Sequence, residues 1–233
     1  MPGGPGQHAG RRPANGDPEA KPGSDFWDRV QRGNNTTKVG GNTNSREVAS
    51  QLAAQARAAV DCPTLQCVGP TSINQAVKAV AIARTYLFQS DQSGSSSHPD
   101  LTVYPEFVKL DGQQIGREEQ LSAVQLVISK RTRRPSVDKE GRSLKVSKDT
   151  EAKSLAGAIA SCTREGSRVE LTAIGAGSVN QAIKAVAIAR QYVEEEAIDL
   201  CCRPEFVEIA DGQVGDGGGP TSALRLIVLV EQC

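Results

Sequence analysis

Aromatic residues are scarce in this chain of 233 residues, which holds one Trp, three Tyr and four Phe. Hydrophobic residues still make up 38% of the chain, so its cores must be built mainly from Ala, Val, Ile and Leu. Side chains of this size suit closely packed layers of helix on sheet. The composition therefore excludes a large pocket lined by aromatic rings.

Histidine is rarer still, with His8 and His98 alone. The six cysteines do not recur at matching places in the two halves described below, so neither a disulfide framework nor a zinc site is predicted. No Ser/His/Asp or Cys/His set can be assembled from positions that both halves share. We therefore predict that the protein is not an enzyme and has no catalytic residues, no metal and no cofactor.

Long apolar runs are absent as well. No run approaches the length of a membrane-spanning helix, and the N-terminus lacks the hydrophobic core of a signal peptide. Unpaired cysteines fit the reducing conditions inside cells. The sequence thus predicts no membrane association and an intracellular location, in the cytoplasm or the nucleus.

The chain has no net charge, with 27 basic and 27 acidic residues, but the charges are unevenly placed. Residues 129–148 hold eight basic and two acidic residues, whereas residues 149–233 hold seven basic and thirteen acidic ones. The basic residues are densest at Lys130, Arg131, Arg133 and Arg134. Such a run is typical of a nucleic-acid contact or a nuclear localisation element, and equally of a solvated linker.

Residues 1–42 consist mostly of Gly, Pro, Asn and charged residues. We expect a disordered tail, because this segment cannot bury enough apolar surface to fold alone. Its one apolar island contains Phe26 and Trp27. The island is a candidate contact for a protein partner, and an incidental cluster in a flexible tail is the alternative.

The most informative feature is an internal repeat. Residues 72–87 and 178–193 agree at twelve of sixteen positions, and three of the four differences exchange similar aliphatic residues. Further matches follow in the same order, namely PEFV from Pro105 and Pro204, and SAVQLVI from Ser122 with SALRLIV from Ser222. One duplication explains all of these matches and predicts two tandem domains, at residues 43–128 and 143–233, joined by a basic linker at 129–142.

Hydrophobic periodicity predicts the order β-α-β-α-β-β in each copy, which is a two-layer α/β sandwich. The opening strand of copy one, near Thr37 to Val39, is the weakest element in this pattern. In copy two, residues 175–177 form a Gly-rich turn into the shared helix, with Ser178 as its predicted N-cap.

One stripe of the shared helix is polar but nearly uncharged. At about 100° per residue, Asn74 and Lys78 lie in line, Gln75 lies beside them and Ala81 continues the stripe. The second copy repeats the three polar residues as Asn180, Gln181 and Lys184. Small side chains around a single lysine allow close approach to a flat polar surface. A nucleic-acid backbone and a second protein helix both fit.

Residues 144–230 closely resemble the bacterial stage V sporulation protein S (SpoVS) family. The resemblance is carried by LKVS, SLAGAIA, GAGSVNQAIKAVAIAR, IDLCCRPEFVEI and SALRLIV. Copy one resembles a diverged member, with GPTS in place of GAGS. The family is similar in fold to the Alba superfamily of DNA- and RNA-binding proteins, which form dimers. The resemblance thus implies an Alba-like fold and nucleic-acid binding, and it implies self-association or an intrachain pseudo-dimer.

The leading hypothesis is a non-enzymatic, Alba-like nucleic-acid-binding or regulatory protein. Its candidate contacts are the polar residues of the two stripes and the basic run at 130–134. The competing hypothesis is a structural or protein-interaction module that pairs through the shared helix without binding nucleic acid.

Overall fold

The computed structural model of the protein describes residues 35–58, 60–89, 99–110, 121–132, 141–209 and 221–232. The predicted tail up to residue 34, with Phe26 and Trp27, lies outside the described residues. So do Arg133 and Arg134 of the basic run.

The two copies contain the same elements in the same order, as predicted. Copy one consists of β1 Thr36–Val39, α1 Ser45–Arg57, β2 Thr64–Cys67, α2 Pro70–Gln89, β3 Pro99–Leu110 and β4 Leu121–Thr132. Copy two consists of β5 Gly141–Val146, α3 Ala152–Arg164, β6 Arg168–Ala173, α4 Gly175–Val193, β7 Ile198–Ile209 and β8 Thr221–Gln232. A 3₁₀ turn, Glu194–Glu196, lies between α4 and β7.

The opening strand of copy one is present. Strand β1 pairs in parallel with β2, from Thr36 beside Thr64 to Val39 beside Cys67. Strand β4 likewise continues to Thr132 and β5 begins at Gly141. The sheet therefore extends into segments that the sequence had assigned to the tail and to the linker.

The shared helices α2 and α4 begin earlier than predicted. Helix α4 starts at Gly175, whose φ is +82°, and Ser178 is already inside the helix and buried rather than acting as its N-cap. The equivalent Gly69 has a φ of +84° and directly precedes Pro70, the first residue of α2. Glycine tolerates this left-handed backbone and proline suits a first helical position, so the chain turns sharply from strand to helix in both copies.

All eight strands form one sheet in the order β1-β2-β4-β3-β7-β8-β6-β5. Counted outward from the centre of the sheet, the two copies place their equivalent strands in the same order. The four helices and alternate strand residues form one hydrophobic core on a single face of this sheet. The opposite face, here called the open face, carries the intervening residues, including Thr102, Tyr104 and Arg203. Buried alanines of α2 and α4 let these helices pack closely on the sheet.

The two copies meet at β3 and β7, which share a single antiparallel pair, Val103 with Cys202. These two residues occupy the same position in the repeat, counted back from the matched prolines. Helices α2 and α4 contact each other, and each also contacts the central strand of the other copy. Equivalent residues facing each other are expected when two units are related by an approximate twofold axis.

Candidate functional site

An arginine of each shared helix crosses the junction between the copies. Arg84 of α2 holds Asp100 of its own copy, with Nε 2.6 Å from Oδ1 and Nη2 3.1 Å from Oδ2. Its Nη1 donates to the carbonyl oxygen of Pro204 in the other copy at 2.5 Å. The guanidinium therefore joins the two central strands.

The second copy repeats this arrangement in the opposite direction. Arg190 of α4 holds Asp199 at 2.7 and 3.0 Å and donates to the carbonyl oxygen of Pro105 at 3.0 Å. Burial alone would raise the pKa of Asp199. The hydrogen bonds from Arg190 and from the backbone N–H of Leu200, with the charge of Arg190, outweigh burial and lower it.

The later turns of the shared helix therefore face the other copy rather than an external ligand. Ala81 and Ala187 are both buried. Ala187 and Arg190 line a cleft of about 400 Å³ together with Pro105 and Phe107 of copy one. This half of the predicted stripe contributes to pairing between the copies.

A third cluster at the junction differs between the copies. Arg131 Nη2 lies 2.5 Å from Glu231 Oε1, Tyr104 donates from its hydroxyl to Glu231 Oε2 at 2.5 Å, and Arg131 also donates to the Tyr104 oxygen. The Arg190 guanidinium carbon lies 5.4 Å from the centre of the Tyr104 ring. Burial and the hydrogen bond to Glu231 raise the pKa of Tyr104, so the phenol stays protonated.

The basic run at 130–134 is thus partly built into the sheet. Lys130 and Arg131 are residues of β4, and Arg131 is committed to the junction. Counting from the matched segments at Ser122 and Ser222, Arg131 and Glu231 occupy equivalent positions, so the two copies carry opposite charges there.

The first turn of the shared helix secures a neighbouring loop in each copy. Gln75 accepts a hydrogen bond from Ser45 Oγ at 2.7 Å and donates to the carbonyl oxygen of Gly41 at 3.4 Å. Gln181 donates to the carbonyl oxygen of Lys148 at 3.3 Å. Both glutamines tie the loop that follows the first strand to the start of the shared helix.

Asn74 and Asn180 are buried, contrary to the exposed position that the helical stripe suggested. Their Oδ1 atoms are fully enclosed and have no hydrogen-bond partner among the described residues. These amides therefore offer almost no surface to a ligand that approaches the folded domain.

Lys78 and Lys184 remain accessible. Both are partly exposed, and neither side chain makes a hydrogen bond or ion pair with another residue in the described ranges. The junction arginines Arg84 and Arg190, by contrast, are satisfied by carboxylates. Of the polar residues on the two stripes, these lysines keep a charge available for an external partner.

Sequence reasoning missed the roles of two kinds of residue. Arg84 and Arg190 are repeated in both copies within the segment AIAR, and that recurrence was the available signal. Lys148 was counted only as one charge of the basic segment. It lies on the loop beside the start of α4, where a Cβ added to Gly177 would be 2.8 Å from the Lys148 Cβ.

Within the described part of the chain, no group of three or more His, Cys, Asp or Glu residues is placed to hold a metal ion. Five described cysteines are unpaired, and burial raises the pKa of Cys67, Cys201 and Cys202. No helix among the described residues is both long and apolar enough to span a membrane.

The comparison with known families agrees with this duplicated architecture. The family described as Stage V sporulation protein S (SpoVS) matches two segments, residues 35–131 and 142–231, which together cover most of the chain. The first match begins just before β1 and the second begins within β5. Each match spans the six elements of one copy, apart from single residues at the ends of β4, β5 and β8. The chain therefore belongs to the SpoVS family and carries two family domains in tandem.

Proposed function

We propose that this protein is a non-enzymatic regulatory protein of the cytoplasm or nucleus that binds RNA or DNA. Its contact surface consists of the early turns of both shared helices and the loops beside them. Lys78 and Lys184 supply the phosphate contacts in this proposal. The Alba-like fold implied by the family resemblance supports the same function.

The observation that carries the proposal is the state of the two equivalent lysines. In a chain with as many acidic as basic residues, both copies keep a lysine at this position, and both lysines are partly exposed without a carboxylate partner in the described ranges. An unpaired lysine can release counterions from a phosphate backbone at no cost in broken ion pairs. Two such lysines in one chain would contact separate phosphates.

The alternative function, a module that pairs without nucleic acid, is favoured by a different observation. The bonds from Arg84 to Pro204 and from Arg190 to Pro105 commit the later turns of the shared helices to pairing between the copies. The two functions use different parts of the helix. Pairing at the later turns leaves the early turns accessible. The pairing module without nucleic acid is therefore the better explanation only if no nucleic acid binds.

The test is fluorescence anisotropy with a single-stranded RNA and a duplex DNA, measured from about 50 to 200 mM salt. Each phosphate contact contributes about 0.7 to the log–log salt slope for single strands and about 0.9 for duplex DNA. The Lys78→Ala/Lys184→Ala variant should therefore lose about 1.4 from the slope with RNA, or about 1.8 with DNA.

The matched control is Lys109→Ala/Lys145→Ala, which removes one exposed strand lysine from each copy and so the same net charge. Its slope should equal that of the wild type. A third variant, Arg133→Ala/Arg134→Ala, tests the basic run separately. No binding at the lowest salt would refute nucleic-acid binding, and a slope that changes only in the third variant would move the contact to that run.

A further inference from the structure

A groove of about 1000 Å³ opens beside the junction of the two copies. Thr102 of β3 and Lys130 and Arg131 of β4 line it from copy one, whereas Arg168 of β6 and Arg203 of β7 line it from copy two. The groove continues to the C-terminal end of α3 and the turn that leads into β6. It is thus formed jointly by the two domains, and neither Lys78 nor Lys184 lines it.

The lining of this groove has an excess of positive charge. Four cationic residues face two carboxylates, those of Asp100 and Glu231. Both carboxylates are already engaged, because Arg84 holds both oxygens of Asp100, and Tyr104 and Arg131 hold Glu231. Arg168 is balanced as well, because its Nη2 lies 2.7 Å from Oε1 of Glu170, which is outside the lining. Lys130 and Arg203 therefore carry the two positive charges of the groove that no carboxylate holds closely among the described residues.

Arg203 is the least satisfied of these cations. Its side chain is only 15% exposed, its nearest carboxylate oxygen is Asp100 Oδ2 at 3.8 Å from Nη1, and its Nε has no hydrogen-bond partner among the described residues. Burial lowers the pKa of Arg203, and the positive charge of Arg84 lowers it further. This guanidinium therefore has only a long ion pair, to a carboxylate that Arg84 already holds.

Two hydroxyls that line the groove are also short of hydrogen-bond partners. Because Val103 pairs with Cys202, Thr102 and Arg203 are cross-strand neighbours on the open face. Thr102 is only 2% exposed, and its Oγ1 has no oxygen or nitrogen partner among the described residues, only a contact with the Cys201 thiol. The buried Thr163 hydroxyl at the end of α3 also lacks a partner in the described ranges. Buried polar atoms without partners are rare, so three around one groove mark it as a candidate binding site.

We propose that this groove binds a phosphate group, with Arg203 as its principal ligand and Thr102 as a second donor. A phosphate brings several acceptor oxygens to donors that lack one, and its double negative charge matches the excess in the lining. Lys130 contributes charge rather than a fixed hydrogen bond. The groove is much larger than an inorganic phosphate ion, so it also has room for a nucleoside attached to the phosphate.

The phosphate has two possible sources, a small nucleotide or a nucleic-acid strand. Isothermal titration of the full chain with inorganic phosphate, with adenosine monophosphate and with a single-stranded RNA separates them. Both small probes should bind, and the monophosphate should bind more tightly. If neither small probe binds at millimolar concentration but RNA binding depends on Arg203, the phosphate is that of a strand.

Arg203→Met should weaken phosphate binding at least about tenfold, since a charged donor is lost. Thr102→Val, which keeps the shape of the side chain, should weaken it by about two- to tenfold. Arg142→Met removes an exposed arginine of the same copy and should leave binding unchanged. Thermal unfolding of each variant without ligand verifies its fold.

The proposal is overturned if no probe binds, which would mean that water alone occupies the groove. It is also overturned if Arg203→Met and Thr102→Val bind each probe as the wild type does. Neither result would affect binding through Lys78 and Lys184, because those lysines do not line the groove. The proposed phosphate site and the proposed nucleic-acid surface can therefore be refuted independently of each other.

Discussion

Replacing Arg84 by Met is the most direct test of the junction between the copies. The substitution keeps a long, flexible side chain but removes the guanidinium that bonds Asp100 and the Pro204 carbonyl. The Arg84 and Asp100 side chains are 9% and 7% exposed, so water cannot replace the lost bonds. The variant leaves a buried carboxylate without its main partner.

Removing one partner of a buried ion pair costs about 3–5 kcal/mol of folding free energy. Arg203 is 3.8 Å from Asp100 and can take over part of the lost interaction, so we expect a value near the lower end, about 3 kcal/mol. The equivalent Arg190→Met should cost less, about 1–2 kcal/mol, because the Arg190 and Asp199 side chains are 21% and 28% exposed and water can solvate the carboxylate.

Urea denaturation followed by circular dichroism measures both values. The double variant Arg84→Met/Asp100→Asn should recover part of the lost folding free energy, since it also removes the unpaired charge of Asp100. A loss below about 1 kcal/mol for Arg84→Met would contradict the burial argument, given what a broken buried pair costs. So would a loss no larger than that of Arg190→Met.

Three further outcomes are expected. The lowered pKa of Asp199 means that its bond to Arg190 adds stability above the unfolded-state pKa of about 4 and loses it as pH falls through the lower folded pKa. The Tm gap between wild type and Asp199→Asn should therefore be constant above about pH 5 and narrow below about pH 4, and a constant gap would contradict this. Gly157→Ala should raise the free energy of unfolding by about 0.5–1 kcal/mol, because an added Cβ in α3 meets no atom within 4 Å. Urea denaturation measures this change, and a lower free energy of unfolding than in the wild type would contradict the prediction. Iodoacetamide at pH 8 should leave the buried Cys201 and Cys202 unmodified in the native protein, since burial raises the Cys201 pKa to about 11 and that of Cys202 further. Peptide mass mapping measures the labelling, and modification of either cysteine before unfolding would contradict the prediction.

The repeat predicted the fold well, because each copy carries its own hydrophobic periodicity. An element assigned in one copy could therefore be compared with the equivalent segment of the other. The sequence could not show which face of the shared helix would be covered. Ala81 and Lys78 lie on one stripe, and helical spacing alone treats them alike. The junction separates them by burying the alanine and leaving the lysine partly exposed.

The helix starts were misplaced for a local reason. Ser178 fits an N-cap by residue type, but Gly175 makes the left-handed turn three residues earlier. The groove at Arg203 was not predictable either, because it depends on strands from different domains being neighbours. Only the single pair of Val103 with Cys202 brings Thr102 beside Arg203.

The opposite charges at Arg131 and Glu231 depend on both domains being encoded in one chain. In a symmetric dimer of identical subunits, a residue close to the twofold axis faces its own copy, so an ionised side chain there meets a like charge. Tandem duplication removes this constraint, because the two sides of the interface can mutate independently. The resulting Arg–Glu contact is attractive only when a first domain meets a second domain. Like domains placed together would set arginine against arginine or glutamate against glutamate, so the substitution that made the copies unequal also made their pairing selective.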